Sequence, residues 1–210
     1  MSSDVSPVAA QPAASALSGL VRRGLKPVVF VVCLLPLVWL VYRTLIGDLG
    51  ANPIEAIIRY LGDWALRFML IALAVTPVRI LTGWLPVARL RRMLGLYAFF
   101  YVVLHIFSYV AIDHLFDWPT IWEDIVKRVY ITVGMASLVM LIPLAITSTD
   151  GMVRRLGGVA WRRLHLLVYP AAIAGVIHFF LMIKAGYQEP MIYAGILAAL
   201  FAVRLYKKFV

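Results

Sequence analysis

Six apolar runs separated by short polar segments organise the chain: Val28–Tyr42, Trp64–Val78, Met93–Ile112, Val129–Ile146, Leu164–Ile183 and Met191–Tyr206. A bilayer core takes about 20 apolar residues as a helix, so each run predicts a membrane span. The second and sixth are short and are expected to lean on neighbours or interfacial residues. The second is reached through the mixed segment Pro53–Asp63. Pro36, Pro77, Pro143 and Pro170 lie in or at the ends of runs, which membrane helices tolerate when neighbours satisfy the freed backbone groups. Residues 1–20 are rich in Ala, Ser and Pro and predict a disordered cytoplasmic tail. Arg22, Arg23 and Lys26 then precede the first run, as in a signal peptide, but no small-residue cleavage site follows it. A retained first span is therefore expected. The predicted fold is an all-α polytopic bundle of about six transmembrane helices, with residues 21–210 as one domain.

Composition agrees with that solvent: 63% of residues are hydrophobic, 14% are charged and the mean hydropathy is +0.93. A net charge of +10 in a soluble chain would suggest nucleic acid. Here Lys and Arg sit at the ends of apolar runs, so they read as topology signals and lipid-headgroup contacts, with no nucleic-acid partner. The basic clusters Arg89-Arg91-Arg92, Arg154-Arg155, Arg162-Arg163 and Arg204-Lys207-Lys208 fall on the same side as the N-terminal basic residues. Most acids, including Asp48, Glu55, Asp63, Asp113, Asp117, Glu123, Asp124 and Glu189, fall on the other. The positive-inside rule then places both termini inside, in an arrangement suited to a bacterial inner membrane. Cys33 is the only cysteine, which excludes an intrachain disulfide, an iron–sulfur cluster and a CxxC zinc site.

Three histidines lie in or at the ends of the apolar runs: His105, His165 and His178. An ionisable group inside a bilayer is costly and marks a functional site by default. Neutral imidazole is a standard axial ligand of heme iron. His105 and His178 stand about 10 Å and 8 Å from the outer ends of two spans that run in the same direction. They can therefore share one level and ligate one b-type heme in the outer leaflet. His165 lies about 20 Å below His178, near the inner edge, at the level of Arg91. Arginine stays protonated and is a poor iron ligand, but it suits a heme propionate, a flavin phosphate or a quinone oxygen. Ideal helices put Arg91 and His105 about 40° apart in azimuth, and His165 and His178 about 140° apart. His114, in the outer loop beside Asp113 and Asp117, is expected to be solvated. Trp64, Trp84, Trp118 and Trp161 read as interface anchors.

Several segments together carry a family resemblance: Gly47-Asp48-Leu49-Gly50-Ala51-Asn52-Pro53, Arg91-Arg92-Met93-Leu94-Gly95-Leu96-Tyr97, His105, Thr147-Ser148-Thr149, Trp161-Arg162-Arg163-Leu164-His165, Tyr169, His178 and Tyr193-Ala194-Gly195. From about residue 20 to its end the chain resembles the MsrQ (YedZ) family, the heme-binding membrane subunit of the periplasmic methionine sulfoxide reductase system. That family lies within the ferric-reductase-like transmembrane superfamily, where NADPH oxidases carry two histidines on each of two helices. This chain matches three of those positions and has Arg91 near the fourth. The resemblance implies an electron carrier with one or two b-type hemes. It implies uptake from the quinone pool or from a flavin reductase, with FMN also proposed as a cofactor. It implies delivery to a periplasmic molybdenum-containing (molybdopterin) catalytic subunit that reduces methionine sulfoxide in oxidised proteins. His105 and His178 are then the heme iron ligands, and His165 with Arg91 the cofactor-binding residues of the inner level.

The residues themselves agree with the direction of travel. The chain has no GxGxxG and no room for a nicotinamide site, so the donor is a lipid-soluble quinol or another protein. No group is arranged to reduce a sulfoxide, so that chemistry belongs to a partner. Two other classes stay open: a transporter or proton channel, and a non-redox anchor for a periplasmic partner. The first would need carboxylates at mid-span, and the middle thirds of the predicted spans hold none. The acids Asp113, Asp117, Glu123 and Asp124 could also form a docking patch for a soluble redox partner.

Overall fold

The structure is a computed structural model that describes residues 24–184 and 186–209, with side chains up to residue 206. The N-terminal tail expected over residues 1–20 lies outside the described residues. Among the described residues nine α-helices follow in order: α1 Lys26–Leu45, α2 Pro53–Thr82, α3 Arg91–Phe107, α4 Trp118–Lys127, α5 Val129–Ile146, α6 Asp150–Leu156, α7 Gly158–Leu164, α8 Val168–Met182 and α9 Gln188–Phe209. A 3₁₀ segment, Leu85–Leu90, leads into α3, and a π segment, Ser108–Asp113, extends it. A second 3₁₀ turn, His165–Leu167, leads from α7 into α8. Among the described residues six stretches are long and apolar enough to cross a membrane, the number the hydropathy pattern predicts. The chain is a polytopic all-α membrane protein.

The second span differs from its expected length. Helix α2 runs for 30 residues, the longest among the described residues, and takes in the mixed segment from Pro53. Asn52 starts it: its side chain accepts from the Glu55 amide at 3.3 Å and donates to the Glu55 carboxylate at 3.0 Å. Pro53 at the first helical position loses no hydrogen bond there. Gly83 ends the helix in the left-handed conformation at φ 69°. Glu55, Arg59 and Asp63 are thus helical residues, not loop residues. Arg59 pairs with Glu55, and Arg67 donates to the Tyr193 hydroxyl of α9 at 2.7 Å.

Helix α2 is also the most buried of the six spans, with Leu61, Ala65, Leu66, Phe68, Met69, Leu70, Ala72, Leu73 and Val75 in the core. It packs along α3, while α5 packs along α8, and the two pairs meet where α3 touches α5 and α2 touches α8. Helix α1 lies outside against α2 and α3, and α9 outside against α2 and α8. The outward faces of α1 stay apolar and exposed, as expected for lipid contact.

Pro36 lacks an N–H and interrupts the bonding of α1. Tyr101, fully buried on α3, compensates. Its hydroxyl donates to the Cys33 carbonyl at 2.9 Å and accepts from the Leu37 amide at 3.2 Å, the two ends of one helical step. Tyr60 donates to the Pro36 carbonyl at 3.1 Å and Tyr97 to the Phe30 carbonyl at 2.8 Å. Three tyrosines thus fasten an otherwise lipid-exposed helix to the bundle.

Candidate functional site

The four core helices bring their chemistry to one end of the bundle. His105 is in the last turn of α3 and His178 in the last turns of α8, while α2 and α5 both begin at that end. The two imidazole rings face each other with centroids 6.3 Å apart and planes at 77°. The depth matching expected from the sequence is realised as a direct pairing of rings.

Each ring is held by a backbone carbonyl of the neighbouring helix. Nδ1 of His105 is 2.9 Å from the Ile58 carbonyl of α2, and Nδ1 of His178 is 2.6 Å from the Tyr130 carbonyl of α5. A carbonyl only accepts, so Nδ1 carries the proton and donates in both rings. Each Nε2 therefore keeps its lone pair. Metal–imidazole bonds of about 2.0 Å and a ring radius of roughly 1.1 Å put the centroids of two axial imidazoles about 6.3 Å apart across one metal. The donor set and its spacing fit a bis-histidine heme iron. Neither carbonyl is visible in the pattern of side chains. A glycine lies inside each partner helix, Gly62 and Gly134, but Gly95 and Gly195 also interrupt helices with open space around them, so glycine in the sequence does not by itself mark these carbonyls.

His165 sits at the opposite end with a different environment. Its ring stacks on Trp161 at 3.8 Å. Nδ1 donates to the Trp161 carbonyl at 3.0 Å, and Nε2 lies 3.5 Å from the Ser148 hydroxyl. Trp161 is itself tied to the Thr147 carbonyl at 2.9 Å. So Thr147-Ser148 and Trp161 form the housing of this histidine, and Trp161 is a packing partner of His165 rather than a free interface anchor. Arg91 shares the same end as an electrostatic neighbour of His165. Around Arg91 stand Arg204, Tyr169, Arg79 and Arg92. Arg204, which reads from sequence only as a topology charge, stacks over the Tyr169 ring at 5.2 Å and donates to its hydroxyl at 2.6 Å and to the Leu73 carbonyl. Its Nε is buried without a hydrogen-bond partner among the described residues.

The outer loop is more ordered than its composition suggests. His114 is not solvated: its side chain is 13% exposed, with Nε2 3.3 Å from Asp124. Asp124, 9% exposed, also accepts from the Tyr109 hydroxyl at 3.0 Å and pairs with Arg128 at 2.9 Å. Asp117 caps α4 by accepting from the Thr120 amide and hydroxyl, and Glu123 pairs with Lys127. Of the four acids expected to form a docking patch, Asp124 is thus withdrawn into the fold, while Asp113, Asp117 and Glu123 remain exposed. Beside the exposed Glu123–Lys127 pair, α4 also carries an exposed apolar stripe of Trp118, Trp122 and Val126.

Comparison with known proteins follows the same residues. The model of a family described as ferric reductase like transmembrane component matches residues 61–176, which include His105 and His165 and stop two residues short of His178. A relative from Rhodospirillum rubrum, named protein-methionine-sulfoxide reductase heme-binding subunit MsrQ, is 64% identical over 177 residues, covering 84% of this chain and 85% of the relative. The chain belongs to the MsrQ family. MsrQ relatives of the same printed name from Caulobacter vibrioides and Herminiimonas arsenicoxydans are 48% and 50% identical, each covering at least 84% of both partners. Within this MsrQ chain, His105 and His178 are paired with ring centroids 6.3 Å apart.

Proposed function

We propose that this protein is a transmembrane electron carrier that holds a b-type heme between His105 and His178. The observation that carries the reading is the 6.3 Å spacing of two imidazoles whose Nδ1 atoms are both committed to backbone carbonyls. When bound there, heme supplies one-electron redox chemistry. The residues fix the tautomer and direction of both ligands and keep them in an apolar, packed surrounding. The relatives' printed name, a heme-binding subunit of a methionine sulfoxide reductase, agrees with the donor set.

With the basic clusters inside, both termini are cytoplasmic and the histidine pair lies toward the periplasm of a bacterial inner membrane. In this reading a soluble partner approaches from that end, where an open cleft of about 510 Å³ is bordered by Glu55, Arg59, Lys184 and Glu189. The partner in this reading is the molybdenum-containing catalytic subunit that reduces methionine sulfoxide. Arg91 and His165 form the inner uptake site, where Arg91 offers a fixed positive charge to a quinone oxygen, an FMN phosphate or a second heme's propionate. The quinone pool or a flavin reductase is the donor. No group among the described residues suits sulfoxide reduction.

The test is a reduced-minus-oxidised spectrum of the detergent-purified protein, with heme counted by pyridine hemochrome. Wild type should show sharp low-spin b-type bands, and His178→Ala should lose them. A colourless wild type, or His178→Ala with unchanged heme content and spectrum, would reject the assignment. Arg91→Ala should load the outer heme normally but be reduced more slowly by quinol or flavin. Equal reduction rates would remove Arg91 from the uptake path.

A further inference from the structure

The two histidine anchors are built the same way. In each, the accepting carbonyl lies four residues before a glycine: Ile58 before Gly62 on α2, Tyr130 before Gly134 on α5. A Cβ on Gly62 would stand 3.1 Å from both Cε1 and Nδ1 of His105. A Cβ on Gly134 would stand 2.8 Å from Nδ1 of His178 and 3.1 Å from its Cε1. The reason is helical geometry. Every Cα–Cβ bond tilts toward the helix N-terminus, so a residue covers the turn before it, where the carbonyl four residues back is exposed. That carbonyl is the usual acceptor of the glycine's own N–H, and its second lone pair is open only where no side chain covers it. The two hydrogen bonds span 47 and 48 residues. Helix pairs α2–α3 and α5–α8 thus present the same device twice. Glycine is disfavoured in a helix interior, so its use here needs a local cause. By contrast, Gly95 and Gly195 have nothing within 4 Å of a built Cβ.

We propose that Gly62 and Gly134 are positioning residues: each bares a helical carbonyl so that an imidazole can lie on the helix, donate from Nδ1 and aim Nε2 at the shared metal. The proposal rests on the heme reading above for its consequence, but not for its geometry. An Nδ1–H donated to a carbonyl makes the imidazole a more basic ligand and favours the oxidised metal. Loss of that bond should therefore raise the midpoint potential.

The experiment compares full-length Gly62→Ala and Gly134→Ala with the control substitutions Gly95→Ala and Gly195→Ala. The readouts are heme per protein, redox midpoint and the low-temperature EPR g values of the ferric form. At Gly134 the 2.8 Å approach cannot be absorbed without moving the ring, so more than half of the heme should be lost. At Gly62 a shift of a few tenths of an ångström suffices, so heme should be retained with a raised midpoint and altered g values. Both controls should match wild type. If Gly134→Ala does not fold, the midpoint and g values of Gly62→Ala decide. Wild-type midpoint and g values in Gly62→Ala, or equal shifts in the controls, would overturn the proposal. A second measurement separates this failure from failure of the heme reading: ¹⁵N chemical shifts of labelled histidine in heme-free protein. Wild type should show both rings as the Nδ1–H form, and each alanine variant should move its own ring toward a mixed form. A mixed form already present in wild type would overturn the positioning role, even if heme binds.

Discussion

Replacing Asp124 with Ala tests whether the outer network holds the two halves of the histidine site together. Tyr109 lies one turn beyond His105, and Arg128 lies two residues before Tyr130, whose carbonyl anchors His178. Asp124 joins them through the Tyr109 hydroxyl and the Arg128 guanidinium, with His114 as a third partner. A hydrogen bond to a buried charged acceptor contributes about 1.5–3 kcal/mol. The Arg128 pair must be discounted, because that side chain is 53% exposed, and adds roughly 0–1 kcal/mol. The total, about 1.5–4 kcal/mol, is a local stability because the network sits in the segment between two spans. Hydrogen exchange followed by mass spectrometry over residues 109–130 should therefore accelerate about 10- to 900-fold, at about 1.4 kcal/mol per factor of ten. The heme bands should broaden as the anchors of the two ligands move independently. Exchange within about threefold of wild type would mean that Asp124 contributes less than roughly 0.7 kcal/mol, and the network would not be what holds the two halves.

Tyr101→Phe removes the hydroxyl that bridges Cys33 and Leu37 and leaves two buried backbone groups without their partner. It should destabilise the bundle by about 1–3 kcal/mol in detergent unfolding, and an unchanged midpoint would mean that α1 closes its own helical step. The exposed Arg92–Asp150 ion pair should respond to pH and salt: its hydrogen bond and charge hold the Asp150 carboxyl below its ordinary value. A lowered carboxylate pKa contributes stability above the unfolded-state value, near 3.9, and loses it as pH falls through the folded value. Proteolysis or exchange of the 147–157 loop should therefore increase below about pH 4 and, at neutral pH, in high salt, with Asp150→Asn insensitive to both. A wild-type loop indifferent to pH and salt would show that the Thr149 cap alone orders it.

Much of the architecture is legible in the order of residues. A bilayer imposes a local, one-dimensional requirement, an apolar run of sufficient length, so the number of spans follows from hydropathy alone. The levels of His105 and His178 follow too, because rise per residue converts sequence position into depth. The ideal-helix azimuths are less transferable. The fifth span tightens into a 3₁₀ turn at His165–Leu167, so the ideal 3.6-residue periodicity does not hold over the whole stretch from His165 to His178. Helix α2 is longer than its apolar run because Asn52 and Pro53 start it well before the hydrophobic stretch, and interhelical pairs such as Arg67 with Tyr193 hold its charged turns.

The sequence by itself determined six spans, an interior for neutral imidazoles and the end of the bundle at which two of them meet. Only the tertiary structure decided which groups meet them. The Ile58 and Tyr130 carbonyls are the same atoms in every peptide unit, and nothing in composition distinguishes them until α2 lies on α3 and α5 on α8. The acids of the outer loop look alike in sequence, yet Asp124 is buried while Asp117 caps a helix, because burial depends on which face of α4 packs down. The Tyr101 hydroxyl completes α1 only because Pro36, 65 residues earlier, opens a gap opposite it. Hydrophobicity acts along the chain and can be read there. Hydrogen bonds and ring contacts between helices need distances of about 3 Å between residues far apart in sequence, and only the packed bundle sets those.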